Sequence, residues 1–222
     1  MWPLALTMNL NRFIESTNLK PTVTGKEIDA LVNEAKELNV FGVCVPPFWV
    51  KRASREIGDS DPSLVTVIGF PLGYQMTETK VEEARLALRD GANELDLVMN
   101  ISAFKDGMSW PKIEFSKLSK LAHEHEAMLK VIIEVAYLSD EEIVQAARLC
   151  ADAGVDFVKT STGFAPDGNV KEQHIKLLRE VLPSSVGIKA SGGIKTREQA
   201  VSLINAGADR LGTSSAYQII KG

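Results

Sequence analysis

Two lysines stand where lysines are least expected. Lys159 lies in "DFVKTSTGF", Asp156 to Phe164, and Lys189 in "VGIKASGG"; each ends a short aliphatic run. Lysine is seldom fully buried, so two such placements thirty residues apart call for a chemical reason. Side chains alternate along a strand. Phe157, Lys159 and Ser161 therefore share one face, opposite Val158 and Thr160, and Lys189 and Ser191 share the face opposite Ile188. The same rule sets Glu94, Asp96 and Val98 against Leu95 and Leu97, groups Lys130, Ile132 and Glu134, and opposes Cys44 to Val43 and Val45. With the aliphatic faces turned to helices, Cys44, Asp96, Glu134, Lys159 and Lys189 converge. Any one of them alone reads as an ordinary ion pair; five together read as a site. Two ammonium groups close together disfavour the charged form, so one amine is expected to have a depressed pKa. A neutral amine attacks a carbonyl to form a Schiff base, and a carboxylate such as Asp96 can move protons beside it.

Two glycine-bearing loops suggest an anion site. "SGGIKTREQA" places Gly192 and Gly193 before a helix, and "GTSSAYQII" places Gly212, Ser214 and Ser215 the same way. Glycine lets backbone approach a ligand, and helix N-termini offer free N–H groups to anions. Either loop alone reads as a tight turn; the pair favours phosphate. Other chemistries find little support. His123 and His125 lie two apart on a helical stretch and do not share a face, so a metal site is not expected. His174 reads as surface, no Ser-His-Asp arrangement is visible, and Cys44 reads as a small buried core residue.

The elements that must position these groups repeat. Aliphatic runs begin at 41, 64, 93, 130, 156, 186 and 209, spaced 23 to 37 residues apart, the size of a β/α unit. Helical periodicity fills the gaps. Val81, Ala84, Leu88 and Ala92 recur at helical spacing and Gly91 marks the end, Ser139 caps a helix that ends at Gly154, another ends at Gly207, and a further helix covers Gly25 to Asn39. "FIEST", Phe13 to Thr17, supplies an eighth strand. The expectation is an α/β chain folded as one (β/α)8 barrel across 1–222, with residues 1–8 a short N-terminal extension. An open doubly wound sheet is the alternative, weakened because no G-x-G-x-x-G follows a strand.

Totals narrow the class. The net charge of −4 and the lack of a basic block argue against nucleic acid. No apolar run reaches membrane-span length, and "MWPLALTM" is too short and lacks the basic leader of a signal peptide. Two distant cysteines, Cys44 and Cys150, predict reduced thiols and a cytoplasmic protein.

The ordered motifs "CVPP", "TVIGFPLG", "ELDLVMN", "KVIIE", "DFVKTSTGF", "GIKASGG" and "GTSS" resemble the deoxyribose-phosphate aldolase family from about Phe13 to Ser215. The resemblance implies a metal-independent class I aldolase on a (β/α)8 barrel, without cofactor. It would reversibly cleave 2-deoxy-D-ribose 5-phosphate to D-glyceraldehyde 3-phosphate and acetaldehyde. By motif, Lys159 resembles the Schiff-base lysine, Lys189 the lysine that lowers its pKa, and Asp96 the proton-relay acid acting with water. Thr160, Ser161, Thr162 and Gly163 would line the substrate, and Gly192, Gly193, Ser214 and Ser215 would cradle phosphate. Glu15, Thr17, Cys44, Lys130 and Glu134 are candidates for the groups supporting them. Expected partners are the sugar phosphate, the aldehydes and further copies of the chain, as a homodimer or higher oligomer. Three departures stand out. Glu15, Ser16 and Thr17 replace the usual Asp-His-Thr, Phe164 stands where some members carry lysine, and only seven residues follow Ser215. Competing readings are an aldolase for another phosphorylated sugar and a catalytically silent barrel that binds one.

Overall fold

In the computed structural model, which describes residues 9–222, eight parallel strands close into a barrel in sequence order. They are β1 (Ile14–Thr17), β2 (Gly42–Val45), β3 (Ser63–Ile68), β4 (Glu94–Val98), β5 (Met128–Ile132), β6 (Phe157–Lys159), β7 (Gly187–Ser191) and β8 (Arg210–Thr213). The helices are α1 (Gly25–Leu38), α2 (Val50–Ile57), α3 (Thr77–Arg89), α4 (Ile101–Lys105), α5 (Trp110–Glu124), α6 (Asp140–Asp152), α7 (Glu172–Val181), α8 (Arg197–Asn205) and α9 (Ala216–Lys221). The expected barrel is therefore observed, with "FIEST" supplying its first strand. The proposed N-terminal extension, 1–8, lies outside the described residues.

Local chemistry explains the boundaries. Thr24, Ser139 and Thr196 each accept the backbone N–H three residues on, while Glu27, Glu142 and Gln199 return a bond to the capping residue's N–H. Helices α3, α6 and α8 run into Gly91, Gly154 and Gly207, all with positive φ. The main core lies between sheet and helices: Val43, Val45, Leu95, Leu97, Val131, Val158, Ile188 and Leu211 face buried helix residues such as Ile28, Val32, Phe115, Leu118, Ile143 and Ile175. No helix among the described residues is long and apolar enough to cross a membrane.

The barrel interior is different. Branched aliphatic side chains usually fill this space; here buried Glu15, Glu94, Asp96, Lys130, Lys159 and Lys189 occupy much of it. A small apolar cluster of Cys44, Val65 and Val67, with Leu19 and Phe70 against it, fills the side near β2 and β3. The register sets Asp96 beside Lys130 and Lys159 beside Lys189 on adjacent strands. Gly212 on β8 makes room, since a Cβ there would lie 3.1 Å from the Lys189 Cε.

Candidate active site

Asp96 is the hub. Its Oδ2 accepts from the Lys159 Nζ at 2.8 Å and from the Lys189 Nζ at 2.6 Å, and its Oδ1 accepts from the Lys130 Nζ at 3.0 Å. Burial opposes its charge, but Lys130, Lys159 and Lys189 outweigh burial and hold its carboxyl well below the usual carboxylate range. Below this layer, Glu15 accepts from Lys189 in a short contact and lies 3.5 Å from the Lys130 Nζ and 3.7 Å from the Arg210 Nε. Lys130 also contacts Glu94. Arg210 lies against two aromatic rings, its guanidinium carbon 3.2 Å from the Phe41 centroid and 5.5 Å from that of Phe157.

The expected pair of bare like charges is therefore corrected: a carboxylate stands between the two amines. Lys189 is held by Glu15 and Asp96, which outweigh its burial and keep its pKa above the ordinary lysine value. Lys130 is raised in the same way by Asp96, Glu15 and Glu94 against burial. Lys159 has one carboxylate neighbour, Asp96, against two for Lys189 and three for Lys130. Across the cluster three carboxylates, Glu15, Glu94 and Asp96, meet four cations, Lys130, Lys159, Lys189 and Arg210. Loss of one proton leaves the cluster balanced.

A cavity of about 470 Å³ opens above the cluster. Of the three lysines inside the barrel, Lys159 alone lines it. Thr17, Thr162, Gly163, Gly192, Gly193 and Ser214 also stand on its wall. Thr160 and Ser161 lie behind the wall, fully buried. The Thr160 hydroxyl donates to the Ser191 carbonyl at 3.0 Å and accepts the Ser191 N–H at 3.1 Å, while the Ser191 hydroxyl donates to the Ser161 carbonyl at 2.6 Å. These bonds tie the end of β6 to β7. Ser215 occupies the N-cap position of α9 away from the wall, its N–H donating to the Thr213 hydroxyl at 2.9 Å. Cys44 is buried beneath the site, and burial pushes its thiol up to about 11 against the pull of Lys189; it stays a thiol at neutral pH. Glu15 points into the barrel against Lys189 and is not part of the cavity wall. Glu134 leaves the lysine group altogether and reaches Thr162.

Gly192 and Gly193 are forced twice over. Both have positive φ, 102° and 74°, and a Cβ would lie 2.4 Å from the Gly168 carbonyl oxygen or 2.0 Å from the Asn169 Oδ1. The loop after β7 is thereby pressed on the loop after β6. Sequence reasoning missed Glu94 as a member of the cluster, although alternation places it two residues before Asp96. It also missed Lys20 and Lys195, which bring positive charge to the cavity; as lysines in polar loops they carry no local signal.

The signature of the DeoC/LacD family aldolases matches residues 11–219. The chain belongs to that family. A deoxyribose-phosphate aldolase of Thermococcus gammatolerans is 47% identical over 218 residues, 97% of this chain and 96% of that one. The deoxyribose-phosphate aldolase of Enterococcus faecalis is 45% identical, with 97% of each chain covered. Among solved structures, one described as "QR15, an Aldolase" superposes with a TM-score of 0.91 at 43% identity, covering 96% of this chain and 94% of that one. A tetrameric deoxyribose phosphate aldolase from Aeropyrum pernix gives 0.89 at 34% identity, covering 96% and 89%. The DeoC/LacD chain is thus an aldolase, a carbon–carbon lyase, on the (β/α)8 frame.

Proposed function

We propose that the chain reversibly cleaves 2-deoxy-D-ribose 5-phosphate to D-glyceraldehyde 3-phosphate and acetaldehyde through a Schiff base on Lys159. The observation that carries the assignment is that Lys159 is the barrel lysine on the cavity wall, with the fewest carboxylate neighbours. Its neutral amine adds to the C1 carbonyl of the open-chain sugar, and loss of water gives an iminium. That cation forms where the ammonium stood, 2.8 Å from Asp96, so the same carboxylate stabilises it. Removal of the 3-hydroxyl proton breaks the C2–C3 bond; the electron pair moves into an enamine and glyceraldehyde 3-phosphate leaves. Protonation at C2 and hydrolysis release acetaldehyde and the amine. Asp96, acting with a water, is the proton relay, and Lys189 supplies the fixed positive charge that favours a neutral Lys159.

Phosphate recognition is assigned to Gly192, Gly193 and Ser214, with Lys20 and Lys195 providing counter-charge on the same cavity. They offset the phenylalanine at 164, which is half exposed and packs edge-on against Phe70 with centroids 5.2 Å apart. Because the imine itself activates the bond to be broken, chelators are expected to leave activity intact. Free, buried Cys44 and Cys150 accord with a reducing, cytoplasmic setting. Exposed Phe48, Tyr74 and Met76 are suited to contacts between copies in a homo-oligomer. The test is acetaldehyde plus borohydride, followed by peptide mapping and an assay of deoxyribose 5-phosphate cleavage. A label on Lys159 together with cleavage supports the proposal; a label on Lys189, or on no lysine, overturns it.

A further inference from the structure

Among the described residues, one buried carboxylate near the site has no cation in ion-pair contact. Glu134, 2% exposed, follows β5 in the left-handed conformation, φ 54° and ψ 72°. Its Oε2 accepts the Thr162 backbone N–H at 3.1 Å and the Thr162 hydroxyl in a short contact, while its Oε1 is buried with no hydrogen-bond partner among the described residues. Glycine would take this backbone more easily, and an apolar side chain would fill the space without burying charge. All the bonds of the carboxylate end on one residue of the cavity wall, Thr162.

A threonine hydroxyl has one proton and two lone pairs. Here the proton is committed to the carboxylate, and the Phe164 N–H donates to one lone pair at 3.1 Å. One lone pair remains. We propose that Glu134 is a positioning residue that fixes Thr162 as a hydrogen-bond acceptor only, so that Thr162 selects a sugar hydroxyl that keeps its proton. Resting on the aldolase reading above, that hydroxyl is the one on C4, which becomes the 2-hydroxyl of glyceraldehyde 3-phosphate. The 3-hydroxyl must lose its proton during cleavage and needs a base, a role for which a threonine oxygen is poorly suited.

The test runs in the synthetic direction with acetaldehyde, comparing kcat/KM for D-glyceraldehyde 3-phosphate with that for its analogue lacking the 2-hydroxyl. The parent enzyme is expected to favour the hydroxylated acceptor by about tenfold or more, the worth of one well-placed bond. Thr162→Val and Glu134→Met should each collapse that ratio toward one, and the double variant should lower it no further. Glu134→Gln should keep most of it, because the amide carbonyl still accepts both Thr162 bonds. A parent ratio near one, an unchanged ratio in Thr162→Val, or a Glu134→Met variant that slows both acceptors by one factor overturns the proposal. If Glu134→Met fails to fold, the contrast between Thr162→Val and Glu134→Gln carries the test, and a collapsed ratio in Glu134→Gln is then the contrary result. A parent protein inactive toward both acceptors would instead refute the aldolase reading.

Discussion

Two regions of this barrel bury lysine against carboxylate, and they do different things. Outside the sheet, Lys80 on α3 donates to Glu114 of α5 at 2.7 Å and to the Val98 carbonyl at 2.9 Å. Glu114 also accepts from the Thr77 hydroxyl at 2.9 Å, and that hydroxyl accepts from the Trp110 indole at 2.9 Å. One cation meets one anion, each carboxylate oxygen is partnered, and none of the group lines the cavity beside Lys159. Inside the sheet, four cations meet three carboxylates, the Glu15 Oε1 is left without a hydrogen bond, and Lys159 opens on a cavity. Burial beside a carboxylate therefore does not mark a catalytic lysine. A surplus of positive charge and an opening onto a cavity set apart the lysine proposed to form the Schiff base.

The largest contrast comes from deleting each lysine. Lys159→Met should lower aldol cleavage by about four orders of magnitude, as expected for a lost nucleophile, and leave the circular dichroism spectrum unchanged. Lys80→Met leaves Glu114 buried without its cation and should cost about 3–5 kcal/mol in denaturant unfolding, with kcat per folded molecule within a few-fold of the parent. A Lys80 variant that folds well yet loses catalysis would erase the distinction.

Next comes Lys189→Leu. It removes the surplus cation, so a neutral Lys159 would leave the cluster with excess negative charge. Activity at pH 7 should fall at least about a hundredfold and recover in part as the pH is raised. A pH–rate profile checks this; a variant near parental activity at neutral pH would show that Lys189 is not what makes the amine available.

A smaller effect tests the phosphate loops. Substitution at Gly193 would strain the backbone and strike Asn169, so Ser214→Glu is the cleaner probe. Its carboxylate faces the proposed phosphate and should raise KM for the phosphorylated sugar about tenfold or more, with little change for unphosphorylated deoxyribose. Equal effects on both substrates would reduce the loop to a turn.

How much of this was legible depends on range. Alternation along a strand is local, so the inward directions of Lys159, Lys189 and Asp96 could be read directly. Register between strands is not local, and so the sequence could not show that Asp96 separates the lysines or that Glu15 lies beneath Lys189. Glu134 was grouped with Lys130 by alternation, but its left-handed backbone ends the strand pattern and turns it to Thr162. Lys80 was passed over for a different reason. Periodicity in α3 pointed to Val81, Ala84, Leu88 and Ala92, whereas the structure buries Lys80 and leaves Val81 partly exposed. Its partner Glu114 lies 34 residues away, and a lysine beside threonine and glutamate in a helix looks like solvent-facing charge.

The smallest expected effect separates the two regions by sign. For Lys80, burial outweighs Glu114 and lowers the pKa below the ordinary lysine value. Between that lowered value and about 10.4, the unfolded chain holds more protons than the folded one, so Lys80 makes stability rise with pH. For Lys189, Asp96 and Glu15 outweigh burial and the pKa is raised. Its contribution is fully present below about 10.4 and is lost as pH climbs through the raised folded value. Denaturant melts of the parent, Lys80→Met and Lys189→Leu across pH 8 to 11, roughly the range in which lysine changes charge, should resolve the two. Relative to the parent, the Lys80 variant should lose the rise on the acid side of this range. The Lys189 variant should lose part of the fall on the alkaline side. Parallel curves for all three proteins would mean that neither lysine changes its proton affinity on folding, and the comparison between a closed ion pair and an open, charge-surplus cluster would then rest on catalysis alone.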